Sequence, residues 1–199
     1  TEAGASATFG IVLTSQPTAN VVVPVSSADA TEGGVTPASV TFTAANWNVS
    51  QSVTVTGVDD AVVDGTVAYT VVTAAAISSD PRYSGVDAAD VAVSNSDDDA
   101  SGVTVTPVAG LATSEAGGSA TFSIVLQSQP VADVVFALTS SDLSEGTVSP
   151  SSLTFTAGNW NAAQVVTVTG VNDPVVDGNV AYTILTAAAA SSDPLYSGM

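Results

Sequence analysis

The chain has 199 residues, 45% of them hydrophobic and 10% charged, with a formal net charge of -18 and neither Cys nor His. Its single basic side chain, Arg82, leaves no cation cluster to neutralise phosphate, so nucleic acid and anionic membrane surfaces are excluded as partners. Without imidazole or thiol there is no His-based catalytic relay and no N/S metal site, and the chain is expected not to be an enzyme.

Taken from Thr1, the sequence shows neither the basic start nor the apolar core of a signal peptide, and both ends read as cuts within a longer protein. Apolar and polar residues alternate over 6–13, with the Val and Thr bias that favours strands. A turn at Ser15-Gln16-Pro17 follows, then the densest apolar stretch, 21–25, which Pro24 breaks and which falls short of the ~18–20 residues that span a bilayer. Glu32-Gly33-Gly34 reads as a turn, and alternation predicts strands over 40–43, 53–58 and 67–72. Residues 73–77 allow no more than a helical turn, Ser78 to Pro81 is a turn cluster, and 91–93 closes the series. The second half offers strands over 102–107, 119–126, 153–156, 165–171 and 180–185.

A shift of 113 residues superposes the two halves without a gap. Residues 1–85 match 114–198 at 57 of 85 positions, aligning Glu2 with Glu115, Phe9 with Phe122, Trp47 with Trp160 and Tyr83 with Tyr196. A period this long makes each repeat a domain, 1–99 and 100–199. The strand signal at 102–107 has no counterpart before Thr1, and that at 88–95 has none after Met199. Repeat 1 thus lacks an opening strand and repeat 2 a final one, through trimming of an array or because a neighbouring molecule supplies them. The predicted fold is all-β: two tandem immunoglobulin-like Greek-key β-sandwiches of about seven strands each. Phe9, Phe42, Trp47, Tyr69 and Tyr83 are assigned to the core or its rim.

The acids cluster at set places. Glu2 and Glu115 precede the Ser-Ala-Thr-Phe strands, Asp59 and Asp60 end a strand, Asp64 follows in an Asp-Gly turn, and Asp97, Asp98 and Asp99 end the last strand of repeat 1. In repeat 2 the loop reads Asn172, Asp173 and Asp177. Carboxylates gathered at one pole of a sandwich cannot all stay ionised without a counterion, and a hard cation with oxygen ligands, Ca²⁺ before Mg²⁺, supplies one. Solvated turn caps are the alternative. Asp29, Asp80, Asp87 and Asp90 are read as ordinary turn acids.

The Glu before the second strand, the Asp-Asp-x-x-x-Asp-Gly loop and the terminal Asp-Asp-Asp together resemble Calx-beta domains, in particular the tandem Calx-beta-like repeats of giant bacterial surface adhesins. That resemblance implies Ca²⁺ at one pole, beside the link to the next domain, held by Glu2, Asp59, Asp60, Asp64, Asp97, Asp98 and Asp99, with Glu115, Asp173 and Asp177 as the repeat 2 set. Val67 stands where the family pattern has a Glu, and Asn172 replaces Asp59, so fewer or weaker ions are expected in repeat 2.

The function expected on these grounds is a Ca²⁺-stiffened spacer in a long extracellular or cell-surface protein. Its partners are the neighbouring repeats, with other copies reachable by strand exchange. Two further readings compete with it: a filament subunit assembled head to tail by strand addition, and a carbohydrate- or ice-binding module suggested by the Thr-x-Thr pattern at 41/43, 54/56, 104/106 and 167/169.

Overall fold

A computed structural model describes all 199 residues, folded as sixteen strands with no helix. No helix is therefore present that is long and apolar enough to cross a membrane. The chain divides into two compact units, Thr1–Asp60 with Asp64–Asp98 and Ala61–Val63 with Asp99–Met199.

Unit 1 contains, in chain order, β1 (Ser6–Ile11), β2 (Val21–Ser27), β3 (Gly33–Thr36), β4 (Ser39–Phe42), β5 (Gln51–Gly57), β6 (Val67–Thr73), β7 (Ile77–Ser78) and β8 (Val91–Asn95). They form one sheet in the order β1-β5-β3 and another in the order β4-β2-β6-β8, with β7 also on β2, and every pairing is antiparallel. Alternation explains which face goes inward. Val53 and Val55 of β5 are buried while Thr54 and Thr56 are not, and Val21, Val23 and Val25 of β2 do the same from the other sheet. These valines meet Val40, Phe42, Tyr69 and Val71 in a single core that both sheets share, an arrangement consistent with a β-sandwich.

Pro24 sits inside β2 without breaking it. Val25 N–H bonds Ala38 O toward β4, so the donor that Pro24 lacks would face the opposite side. There β2 changes partner from β7, paired at Val21 and Val22, to β6, paired from Val25 onward. In that interval Ala74 N–H bonds Pro24 O, and no ladder donor is missed.

Unit 2 contains β9 (Val103–Thr106), β10 (Ser119–Leu126), β11 (Val134–Ser140), β12 (Gly146–Ser149), β13 (Ser152–Phe155), β14 (Gln164–Gly170), β15 (Ile184–Thr186) and β16 (Ala190–Ser191). Its sheets run β12-β14-β10-β9 and β13-β11-β15, with β16 also on β11. The core holds Phe122, Ile124, Leu138, Val166 and Tyr196, with Phe136 and Phe155 packed edge to face at 6.2 Å between ring centres. Buried tyrosines pin a loop in each unit. Tyr83 hydroxyl bonds Ser15 O at 2.6 Å, and Tyr196 hydroxyl bonds Ser128 O at 2.8 Å.

The strand expected over 180–185 is shorter. Only Ile184–Thr186 pairs, with Ser140 to Leu138 of β11, whereas its counterpart β6 begins at Val67. The reason is the neighbour. Residues Val67 to Val71 of β6 are laddered to β8 in the register Val67↔Asn95 to Val71↔Val91, and unit 2 has no strand at that edge.

Candidate metal centre

Three chain segments carry carboxylates to one end of unit 1. Glu2 lies in a tight turn in which Gly4 N–H bonds Thr1 O, and its own N–H bonds Ser96 O at 3.0 Å, just past β8. This turn presses so closely on the end of β5 that a Cβ at Gly57 would collide with the Thr1 carbonyl. Glu32 precedes β3 and is fixed from both sides: Asp29 closes the turn before it by accepting Thr31 N–H, and Val58 N–H bonds Glu32 O at 3.0 Å. Asp64 rides the exposed turn whose next residue, Gly65, has φ of 82°, a conformation L side chains avoid. Gly65 N–H in turn bonds Asp97 Oδ2 at 2.7 Å.

Carboxylate oxygens of Glu2, Glu32 and Asp64 all lie within 4.8 Å of one another. Glu2 and Glu32 are buried, at 1% and 5% exposure, so like charges are held together away from water. The Glu2 carboxyl is accordingly pushed up to about 7, first by burial and then by Asp97, Asp64, Asp60 and Glu32. Burial, Asp60 and Asp97 likewise raise Asp64. Asn95, the last residue of β8, donates Nδ2–H to Val58 O at 3.0 Å and, more weakly, to Glu32 Oε2 at 3.4 Å. Two buried oxygens here have no hydrogen-bond donor, Glu2 Oε2 and Asn95 Oδ1. An orphaned buried carboxylate oxygen among like charges is costly unless a cation faces it. Every donor atom in the cluster is oxygen, which suits a hard divalent ion of the Ca²⁺ type.

Unit 2 repeats the arrangement in a looser form. Glu145, Asp173 and Asp177 place carboxylate oxygens within 4.8 Å of one another, and none of the three is fully buried. Burial followed by Asp177, Asp173, Asp142 and Glu115 raises the Glu145 carboxyl. Asp173 Oδ1 also accepts Val175 N–H at 2.8 Å, which shapes its loop. Glu115, the counterpart of Glu2, is exposed and stands outside this group of three.

Of the residues singled out from sequence, the fold gathers Glu2 and Asp64 in one unit and Asp173 and Asp177 in the other, with Asp60 and Asp97 near enough to act on Glu2. Asp59 and Asp98 are exposed, and Asp99 falls in unit 2. Sequence reasoning missed Glu32 and Glu145, reading Glu-Gly as a turn. The signal was there, because the 113-residue shift pairs Glu32 with Glu145. Asp80 and Asp193 are structural. Each is buried and accepts two backbone N–H groups, from Thr18 and Arg82 in one unit and from Val131 and Leu195 in the other.

No family model matches the chain, and no curated protein does. Among solved structures it is similar, at 10% identity and a TM-score of 0.30, to a chain described under a chaperone–tip adhesin complex vital for synergistic activation of CFA/I fimbriae biogenesis; the alignment covers 95% of this chain and 94% of that one.

Proposed function

We propose that this chain is a Ca²⁺-binding spacer of a long extracellular repeat protein, built from Calx-beta-like, immunoglobulin-like Greek-key sandwiches and without catalytic activity. The single observation that carries the reading is the buried Glu2 carboxylate, held beside Glu32 and Asp64 with one oxygen lacking any donor. A solvated turn acid would be exposed and free to turn toward water; Glu2 is neither.

The division of labour follows from burial. Glu2 and Glu32 are set rigidly by the chain on either side of β5, and Asp64 closes over them from an exposed turn. Bound Ca²⁺ would supply the positive charge these oxygens lack. Asp97 joins the Asp64 turn to the end of unit 1 through Gly65, two residues before unit 2 resumes at Asp99. Fixing Asp64 and Asp97 therefore restrains the link, which is how a flexible array becomes a stiff one. Extracellular Ca²⁺ modules bind at ~10⁻⁴–10⁻³ M, and ion at ~100 times Kd adds ~2.7 kcal/mol per independent site.

Thermal unfolding in chelator, followed by separate return of Ca²⁺ and Mg²⁺, tests this reading. A rise in melting temperature selective for Ca²⁺ is expected. Equal melting under all three conditions would overturn it.

A further inference from the structure

Unit 2 carries an open cleft of about 920 Å³ where unit 1 is closed. Its lining includes Val105, Phe122, Val168, Tyr182, Ile184 and Thr186. The counterparts of the last three, 113 residues earlier, are Tyr69, Val71 and Thr73, exposed by only 8%, 0% and 2%. In unit 2 Tyr182 and Ile184 are half-buried and Thr186 is exposed. The two halves share nearly the same residues here, so the difference is not in the wall of the cleft but in what covers it.

Unit 1 shows the cover in place. β8 pairs antiparallel with β6, and Val91 and Val93 pack on the core. Asp90 Oδ1 accepts Thr73 N–H at 2.9 Å, the Ala88 carbonyl accepts Thr73 Oγ1–H at 3.0 Å, and Asn95 closes the far end against Val58 O. The matching groups of unit 2 are Thr186 N–H and Oγ1–H at one end and Val171 O at the other, with no such strand upon them.

We propose that the free edge of β15, with the cleft beside it, is a strand-accepting site for an extended peptide of the β8 type: Asp at its start, Val at two alternate positions, Asn at its end. Main-chain bonds to the Val180–Thr186 stretch give it affinity, and the valines entering beside Ile184 and Tyr182 give it register and specificity. The occupant must be small and β-branched on its inward face, because unit 1 fills the equivalent space with two valines. This site does not depend on the cation reading, since its walls are apolar and its polar anchors are backbone groups and a threonine.

The test uses the whole chain and a synthetic peptide with the sequence of residues 88–97, Ala-Ala-Asp-Val-Ala-Val-Ser-Asn-Ser-Asp. Binding is followed by calorimetry, its location by hydrogen exchange, and the assembly state by light scattering. The expected result is one peptide per chain, new protection confined to residues 180–186, and a chain that stays monomeric. A V93D peptide should bind about tenfold or more weakly, since it would bury a charge in place of a valine. A scrambled peptide should not bind. Absence of binding, protection on the free edge of β1 instead, or a cleft already protected in a self-associated chain would each overturn the assignment.

Discussion

Asn95 Nδ2 lies 3.4 Å from Glu32 Oε2, and this contact ties the last strand of unit 1 to its acid cluster. The same amide is anchored on Val58 O, and the backbone just beyond it, at Ser96 O, receives Glu2 N–H. One strand therefore does two things: it closes the apolar edge of β6 and it buries Glu2. Unit 2 has neither feature. Its edge is open and its Glu115 is exposed.

Removing a charge from the cluster separates cation binding from mere acidity. Glu32→Gln keeps an acceptor for Asn95 but removes one of the like charges around Glu2. In chelator the variant should melt at or above the wild-type temperature. With Ca²⁺ it should lose most of the ~2.7 kcal/mol that ion at ~100 times Kd would contribute. A variant that keeps the full Ca²⁺ response would show that Glu32 is not a ligand.

The raised Glu2 carboxyl makes a prediction about pH. Its folded value of about 7 lies above the model value of 4.5 for an unperturbed Glu, so between those limits the folded state binds more protons than the unfolded one. Stability in chelator should then be fully present below pH 4.5 as far as this group is concerned, and should fall as pH rises through 7. The lowered carboxyls of Asp29, Asp80 and Asp142 act with the opposite sign, below the usual Asp value, and leave this window clear. Urea unfolding at pH 5 and pH 7.5 reads the slope. Glu2→Gln should flatten it; an equal slope in that variant would assign the effect elsewhere.

Asp193 is a control, an acid that holds structure without a cation. Its carboxylate accepts Val131 N–H and Leu195 N–H, both at 2.9 Å, in a site 1% exposed. Asp193→Ala strands both donors and should destabilise unit 2 by about 2–3 kcal/mol. Chemical denaturation should give the same loss with and without Ca²⁺. A loss that appears only with the ion present would make Asp193 part of a metal site.

Alternation revealed strands wherever one face is buried and the other wet, as in β5 and β14. It failed at β2 and β11, whose Val-Val-Val-Pro and Val-Val-Phe-Ala runs are apolar on both faces and so carry no period. It also failed at β3, because Gly33 looks like a turn residue. Its actual role is steric, since a side chain there would strike the Tyr69 ring. Glu2 and Asp64 were legible because they stand apart from other acids at fixed places in the repeat. Glu32 was hidden inside an apparent turn, and its importance rests on long-range geometry that brings position 32 against position 2. Asp59 stood out by sitting beside Asp60, yet it is exposed, and its counterpart in the second half is Asn172.

The most direct measurement is a calorimetric Ca²⁺ titration of the chelator-stripped chain beside the Glu2→Gln variant. The account predicts at least one Ca²⁺ per chain in the ~10⁻⁴–10⁻³ M range typical of extracellular modules, lost when Glu2 is replaced. Binding that survives unchanged in the Glu2→Gln chain, or no binding in that range at all, would contradict it.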